Sequence, residues 1–103
     1  MRHYLVVANE TLDDPAFEEW VARRLAVEPV HVHLVVPPNR TEGRIHWHEE
    51  EATDRARRRL ARARHRLRAL GALVAGEIGP EDPLLAVSAA LRARPYDLTV
   101  LAA

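Results

Sequence analysis

The sequence predicts an α/β fold built on a parallel sheet, and three observations carry that reading. The runs His3–Ala8, Val30–Val36 and Leu98–Leu101 are short and rich in Val and Leu. Each is followed or preceded by a stretch of helical periodicity. Buried strands alternating with amphipathic helices make a parallel sheet with helices packed on its faces. Open parallel sheets take ligands at the carboxyl ends of their strands, where the strand order reverses, so the fold class also locates a candidate crevice.

The first strand is His3–Ala8. Asp14-Pro15 starts a helix, with Asp as N-cap and Pro at the first helical position, where its missing N–H costs nothing. Phe17, Trp20, Val21 and Leu25 form the apolar stripe, and Glu28-Pro29 ends the helix. Val30–Val36 is the second strand, stopped by Pro37-Pro38. A polar loop runs from Asn39 to His48. The second helix covers roughly Glu49–Leu70. Its stripe is Ala52, Ala56, Leu60, Ala63, Leu67 and Leu70, with three glutamates at the start and Gly71 as C-cap. Ala72–Gly79 reads as a third strand, weakened by Gly76 and Glu77. Asp82-Pro83 opens a third helix with Leu84, Val87 and Leu91 toward the core. Arg94-Pro95 closes it, and Asp97–Ala102 is the fourth strand.

The chain has 103 residues, enough for one domain with one core spanning 1–103. Its 15 basic residues are all Arg and balance 15 acids. Residues 1–54 carry five Arg and eleven acids, and residues 55–103 carry ten Arg and four acids. Zero net charge argues against bulk attraction to nucleic acid or anionic lipid. No cysteine is present, which excludes disulfide and thiol chemistry. No apolar run is long enough to span a membrane, so a cytoplasmic protein is expected.

Several short motifs resemble the actinobacterial branch of the universal stress protein family. They are Tyr-Leu-Val-Val-Ala-Asn-Glu-Thr-Leu near the start, His-Leu-Val-Val-Pro at 33–37, the Glu/Ala/Arg-rich second helix, Gly-Glu-Ile-Gly-Pro-Glu-Asp-Pro at 76–83 and Pro-Tyr-Asp-Leu at 95–98. The resemblance implies a three-layer, Rossmann-like α/β domain with strand order 3-2-1-4 over the strands present, extended in the family by a fifth strand. It also implies ATP or AMP, in some members, between strands one and four, with an acidic residue closing strand one and a glycine-rich loop wrapping the phosphates. Here, after Ala8, the acidic position maps onto Asn9 or, with a one-residue shift, Glu10, and no glycine-rich loop or fifth strand is read within residues 1–103. Glycines 43, 71, 76 and 79 do not cluster as a phosphate cradle would require.

With right-handed crossovers, order 3-2-1-4 places the first two helices on one face and only the third on the other. A helix about 10 Å wide cannot cover four strands spanning roughly 15–20 Å. The bare face or the bare edge of strand four is therefore expected to sit in a homodimer or higher homo-oligomer.

His31 and His33 share a face of strand two, and His46 and His48 form a second His-x-His in the loop. Four imidazoles suit a zinc site, but a strand histidine and a solvated loop pair explain the same residues, and no metal is assigned. Arg55, Arg59, Arg62 and Arg66 flank the stripe of the second helix on one side, with Arg57, Arg64 and Arg68 on the other. A solvated face, with stems laid along the sheet, accounts for them without nucleic acid. Trp47 in the polar loop is open to stacking on a base or covering a partner. The motifs Gly-x-Ser-x-Gly, His-Glu-x-x-His and the P-loop are all absent, and the lone Ser88 lies inside a helix, so no enzyme is expected. The expected protein is an oligomeric, stress-protein-like module, with any small-molecule ligand held by Ala8, Asn9, Glu10, Thr11 and Pro37. The alternative is a protein-interaction module whose crevice is vestigial.

Overall fold

The computed structural model describes residues 1–38, 49–80 and 82–102. In chain order these form β1 (Arg2–Val7), a 3₁₀ turn (Glu10–Asp13), α1 (Pro15–Leu25), β2 (Val30–Val36), α2 (Glu49–Ala69), β3 (Leu73–Ile78), α3 (Pro83–Ala93) and β4 (Leu98–Leu101). The strands make one all-parallel sheet in the order β3-β2-β1-β4. The α/β class and this strand order are those expected from the sequence.

Local chemistry sets the helix ends. The Asp14 carboxylate accepts from the Ala16 N–H at 2.9 Å, ahead of Pro15, and Asp82 accepts from the Leu84 N–H at 2.9 Å, ahead of Pro83. Each cap satisfies a first-turn N–H that has no partner within the helix. α2 closes in a Schellman motif. The Ala72 N–H donates to the Leu67 carbonyl and the Gly71 N–H to that of Arg68, with Gly71 at φ 105°.

Strand register decides what each face carries, because parallel partners point the same way. One face presents Tyr4, Val6, Val32, Leu34 and Val74 to α1 and α2. Phe17 and Val21 meet it from α1, and Ala56, Leu60, Ala63 and Leu67 from α2. The opposite face presents Leu5, Val7 and Val35 to α3. Thus two helices lie on one face and one on the other, as right-handed crossovers require.

Three expected core contacts are different in the structure. Leu84 and Leu91 point outward at 66% and 46% exposure, and α3 packs through Ala86 and Ala90, with Val87 beside them. Small residues let the α3 backbone approach Leu5, Val7 and Val35, which a leucine stripe would hold off. Leu70 is exposed as well, since it lies past the last turn of α2. On its own face the single helix leaves the outer row of β3 and most of β4 uncovered, and Leu73, Thr99 and Leu101 are exposed there.

A Cβ at position 71 would touch nothing within 4 Å, so Gly71 is required by backbone conformation alone. Gly71→Ala is expected to lower stability by about 1 kcal/mol. Gly71→Asn should cost less, as asparagine tolerates positive φ better. Urea denaturation of the three proteins measures both effects.

Candidate functional site

The carboxyl ends of β1 and β4 lie side by side, tied by the Ala102 N–H to the Val7 carbonyl at 2.9 Å. The crevice residues are gathered here, but their polar groups already have partners. Ala8 is buried and donates its N–H to the Val35 carbonyl. Asn9, the one buried polar side chain among the described residues, donates from Nδ2 to the Pro37 carbonyl at 2.5 Å and accepts at Oδ1 from Arg59. Pro37 is buried beneath it. Glu10 is exposed, and Thr11 is half-buried in the 3₁₀ turn, its carbonyl accepting from the Asp14 N–H. The sequence places Asn9 among the contacts for a small-molecule ligand. In the structure its amide joins the end of β1 to the end of β2 and to α2.

Arg59 belongs to a wider network. Its Nε donates to Asp13 Oδ2 at 2.6 Å, and Arg62 and Arg66 approach Asp13 Oδ1 at 3.5 and 3.7 Å. Arg66 also pairs with Glu18 at 2.6 Å and donates to the Leu12 carbonyl at 2.7 Å. One flank of α2 is thereby fastened to the turn after β1 and to α1. Burial alone would raise the Asp13 pKa. The Arg59 hydrogen bond and charge, with those of Arg62, outweigh it and hold the carboxyl below its usual range. These arginines are engaged within the protein, which weakens the case for a nucleic-acid-binding face. Their spacing of three and four residues was visible in the sequence, but the acceptor at Asp13, about fifty positions away, was not.

The remaining polar cluster lies on the α3 face. His3 and His31 are neighbours across β1 and β2, with ring centroids 5.4 Å apart. His33 Nε2 lies 3.1 Å from Glu77 Oε1, and its ring is 6.2 Å from that of Tyr96. Burial, then the nearby His3, Arg94 and His33, lower the His31 pKa, so the ring is neutral at pH 7. Burial pushes the Tyr96 phenol up. Among the described residues no three His, Asp or Glu side chains converge as metal ligands. His46, His48 and Trp47 lie outside the described residues, as does the loop that holds them.

Among the described residues, two grooves open to solvent lie away from the β1/β4 crevice. One, of about 400 Å³, lies at the opposite, amino end of the strands between Arg2, Arg24, Val27, Glu28 and Asp97. Its charges are mutually paired, Arg2 bridging Glu28 at 2.5 Å and Asp97 at 3.7 Å. The other, of about 300 Å³, is lined by His31, His33, Glu77, Ala93, Arg94 and Tyr96. Sequence reasoning singled out the two histidines of this groove but not Glu77, Arg94 or Tyr96. The period-two spacing of His31 and His33 was the one signal available. No protein-family model matches this chain, and no curated protein matches it. No helix among the described residues is long and apolar enough to cross a membrane.

Asn9→Ala removes the amide and leaves the Pro37 carbonyl and Arg59 without their partner in a buried setting. The expected loss is roughly 2–3 kcal/mol of unfolding free energy in urea. The depressed Asp13 pKa contributes stability that is present above the unfolded-state pKa and lost as pH falls through the folded one. Asp13→Asn should therefore flatten the acid limb of a stability-versus-pH curve below about pH 4, while lowering the plateau by about 1 kcal/mol.

Proposed function

We propose that this chain is a non-enzymatic α/β module of the universal stress protein kind that works by pairing with a second copy of itself. The observation that carries this reading is β4. Its sequence is Leu-Thr-Val-Leu, without charge or proline, and it forms the edge of the sheet among the described residues. Leu98 and Leu101 are exposed on its two sides. Natural edge strands are normally guarded by charge, proline or a covering element. Pairing two such edges about a two-fold axis joins the same uncharged residues to each other and satisfies both rows of backbone groups. Zero net charge on each copy leaves no overall repulsion to oppose this. Leu84, Leu85 and Leu91 of α3 are exposed apolar side chains as well. A cytoplasmic location belongs to this reading, and the lack of cysteine suits a reducing compartment.

A second reading places ATP, AMP or a related small ligand at Ala8, Asn9, Glu10, Thr11 and Pro37. The strand order favours it, because the chain turns to opposite sides at the β1/β4 junction. Against it stands Asn9, which would have to release Pro37 or Arg59 to reach a ligand.

Sedimentation at tens of micromolar is expected to show a dimer. The double variant Thr99→Lys, Leu101→Lys should be a folded monomer, since both side chains are exposed and place like charges along the edge. A monomeric parent protein, or a variant that dimerises equally well, would overturn the proposal. Calorimetry with ATP and AMP is expected to give no heat; saturable heat abolished by Asn9→Ala would instead favour the second reading.

A further inference from the structure

We propose that the groove between β2, β3 and the carboxyl end of α3 binds a small planar aromatic acid. This site is independent of the edge pairing, which uses β4 on the other side of the sheet. The groove exists because α3 rests on the middle of the sheet through alanines and does not reach the outer row of β3. Its floor is His31 and His33 from β2 and Ala75 and Glu77 from β3, and Ala90 and Ala93 form a smooth wall. About 300 Å³ accommodates one or two fused rings.

The lining chemistry defines the ligand. Three flat side chains, His31, His33 and Tyr96, stand around a methyl-lined wall, an arrangement that favours an aromatic ring over a flexible chain. His31 is neutral at pH 7 and offers a ring face rather than a charge. Its Nδ1 is buried without a partner, so a proton there would be an unsatisfied donor, which favours the Nε2–H tautomer. The groove holds one carboxylate, Glu77, and that group is matched with His33. Arg94 follows α3 at the amino end of the strands, close enough to His31 to affect its protonation. Its guanidinium makes no ion pair with a described residue. A ligand carboxylate meets Arg94 there, while Glu77 is held by His33, and the ring lies toward Tyr96 and the alanines. A cation would meet the reverse, an uncompensated Arg94 at one end and an occupied Glu77 at the other.

Benzoate is the probe, followed by NMR of the histidine and tyrosine ring signals of the full chain. Benzamide keeps the ring without the charge, and acetate keeps the charge without the ring. Benzoate is expected to shift His31, His33 and Tyr96 saturably in the millimolar range. Benzamide and acetate should each bind about tenfold more weakly, the size of one lost charge-assisted hydrogen bond or ring contact. Arg94→Ala should bring benzoate down to the benzamide level, and Ala93→Leu should block the groove. Both positions are exposed, so the fold is retained and is checked by thermal melting. The proposal fails if benzoate gives no saturable shift at the three rings. It fails equally if neither variant changes the benzoate response.

Discussion

The whole arrangement depends on β1 lying between two hydrogen-bonded neighbours with both of its faces out of water. Leu5 and Val7 are fully buried on one side, and Tyr4 and Val6 on the other. A strand in that position cannot be covered by one layer of helix, and right-handed connections allot the helices unequally. The β2 and β3 crossovers bring α1 and α2 to one face, where sixteen of the described residues form the main buried core. The β4 crossover brings α3 alone to the other, where five do. The asymmetry is a consequence of connection handedness and strand order, not of any single residue.

The chain leaves β1 into a turn that is held electrostatically. Asp13 gathers three guanidinium groups from successive turns of α2, and Asn9 adds a neutral hydrogen-bonded link to the end of β2. Charge repulsion among Arg59, Arg62 and Arg66 would otherwise work against this flank of the helix; Asp13 and Glu18 offset it. Asn9, at the end of β1, thereby ties the strand ends to α2. On the thinner face, His31 Nδ1 is buried without a hydrogen-bond partner.

Much of the architecture was legible because it is written in local patterns. β2 was bounded by Val30 and Pro37, and the two Asp-Pro pairs marked the starts of α1 and α3 through caps that the structure retains. Gly71 marked the end of α2 by its conformational demand. α3 shows where such reading stops. It carries two interleaved apolar stripes, one of leucines and one of alanines, and periodicity does not rank them. The sheet beneath selected the alanines because a closer approach fills the space over Leu5, Val7 and Val35. The candidate site was legible only as a place. That Asn9 would be spent on Arg59, or that Glu77 would reach His33, depends on register between segments about fifty and forty-four residues apart.

The alanine contact of α3 carries a dynamic consequence. Apolar area removed from water scales the grip of a helix, and methyl groups remove little of it. α1 and α2 share a common core and are joined by the Arg66–Glu18 ion pair, whereas α3 holds on mainly through Ala86, Ala90 and the half-buried Val87. α3 is thus expected to detach ahead of the central strands in sub-global opening, with its amides exchanging before those in β1 and β2. Each such excursion bares Leu5, Val7 and Val35, the most apolar part of the central strands, while the rest of the domain stays folded.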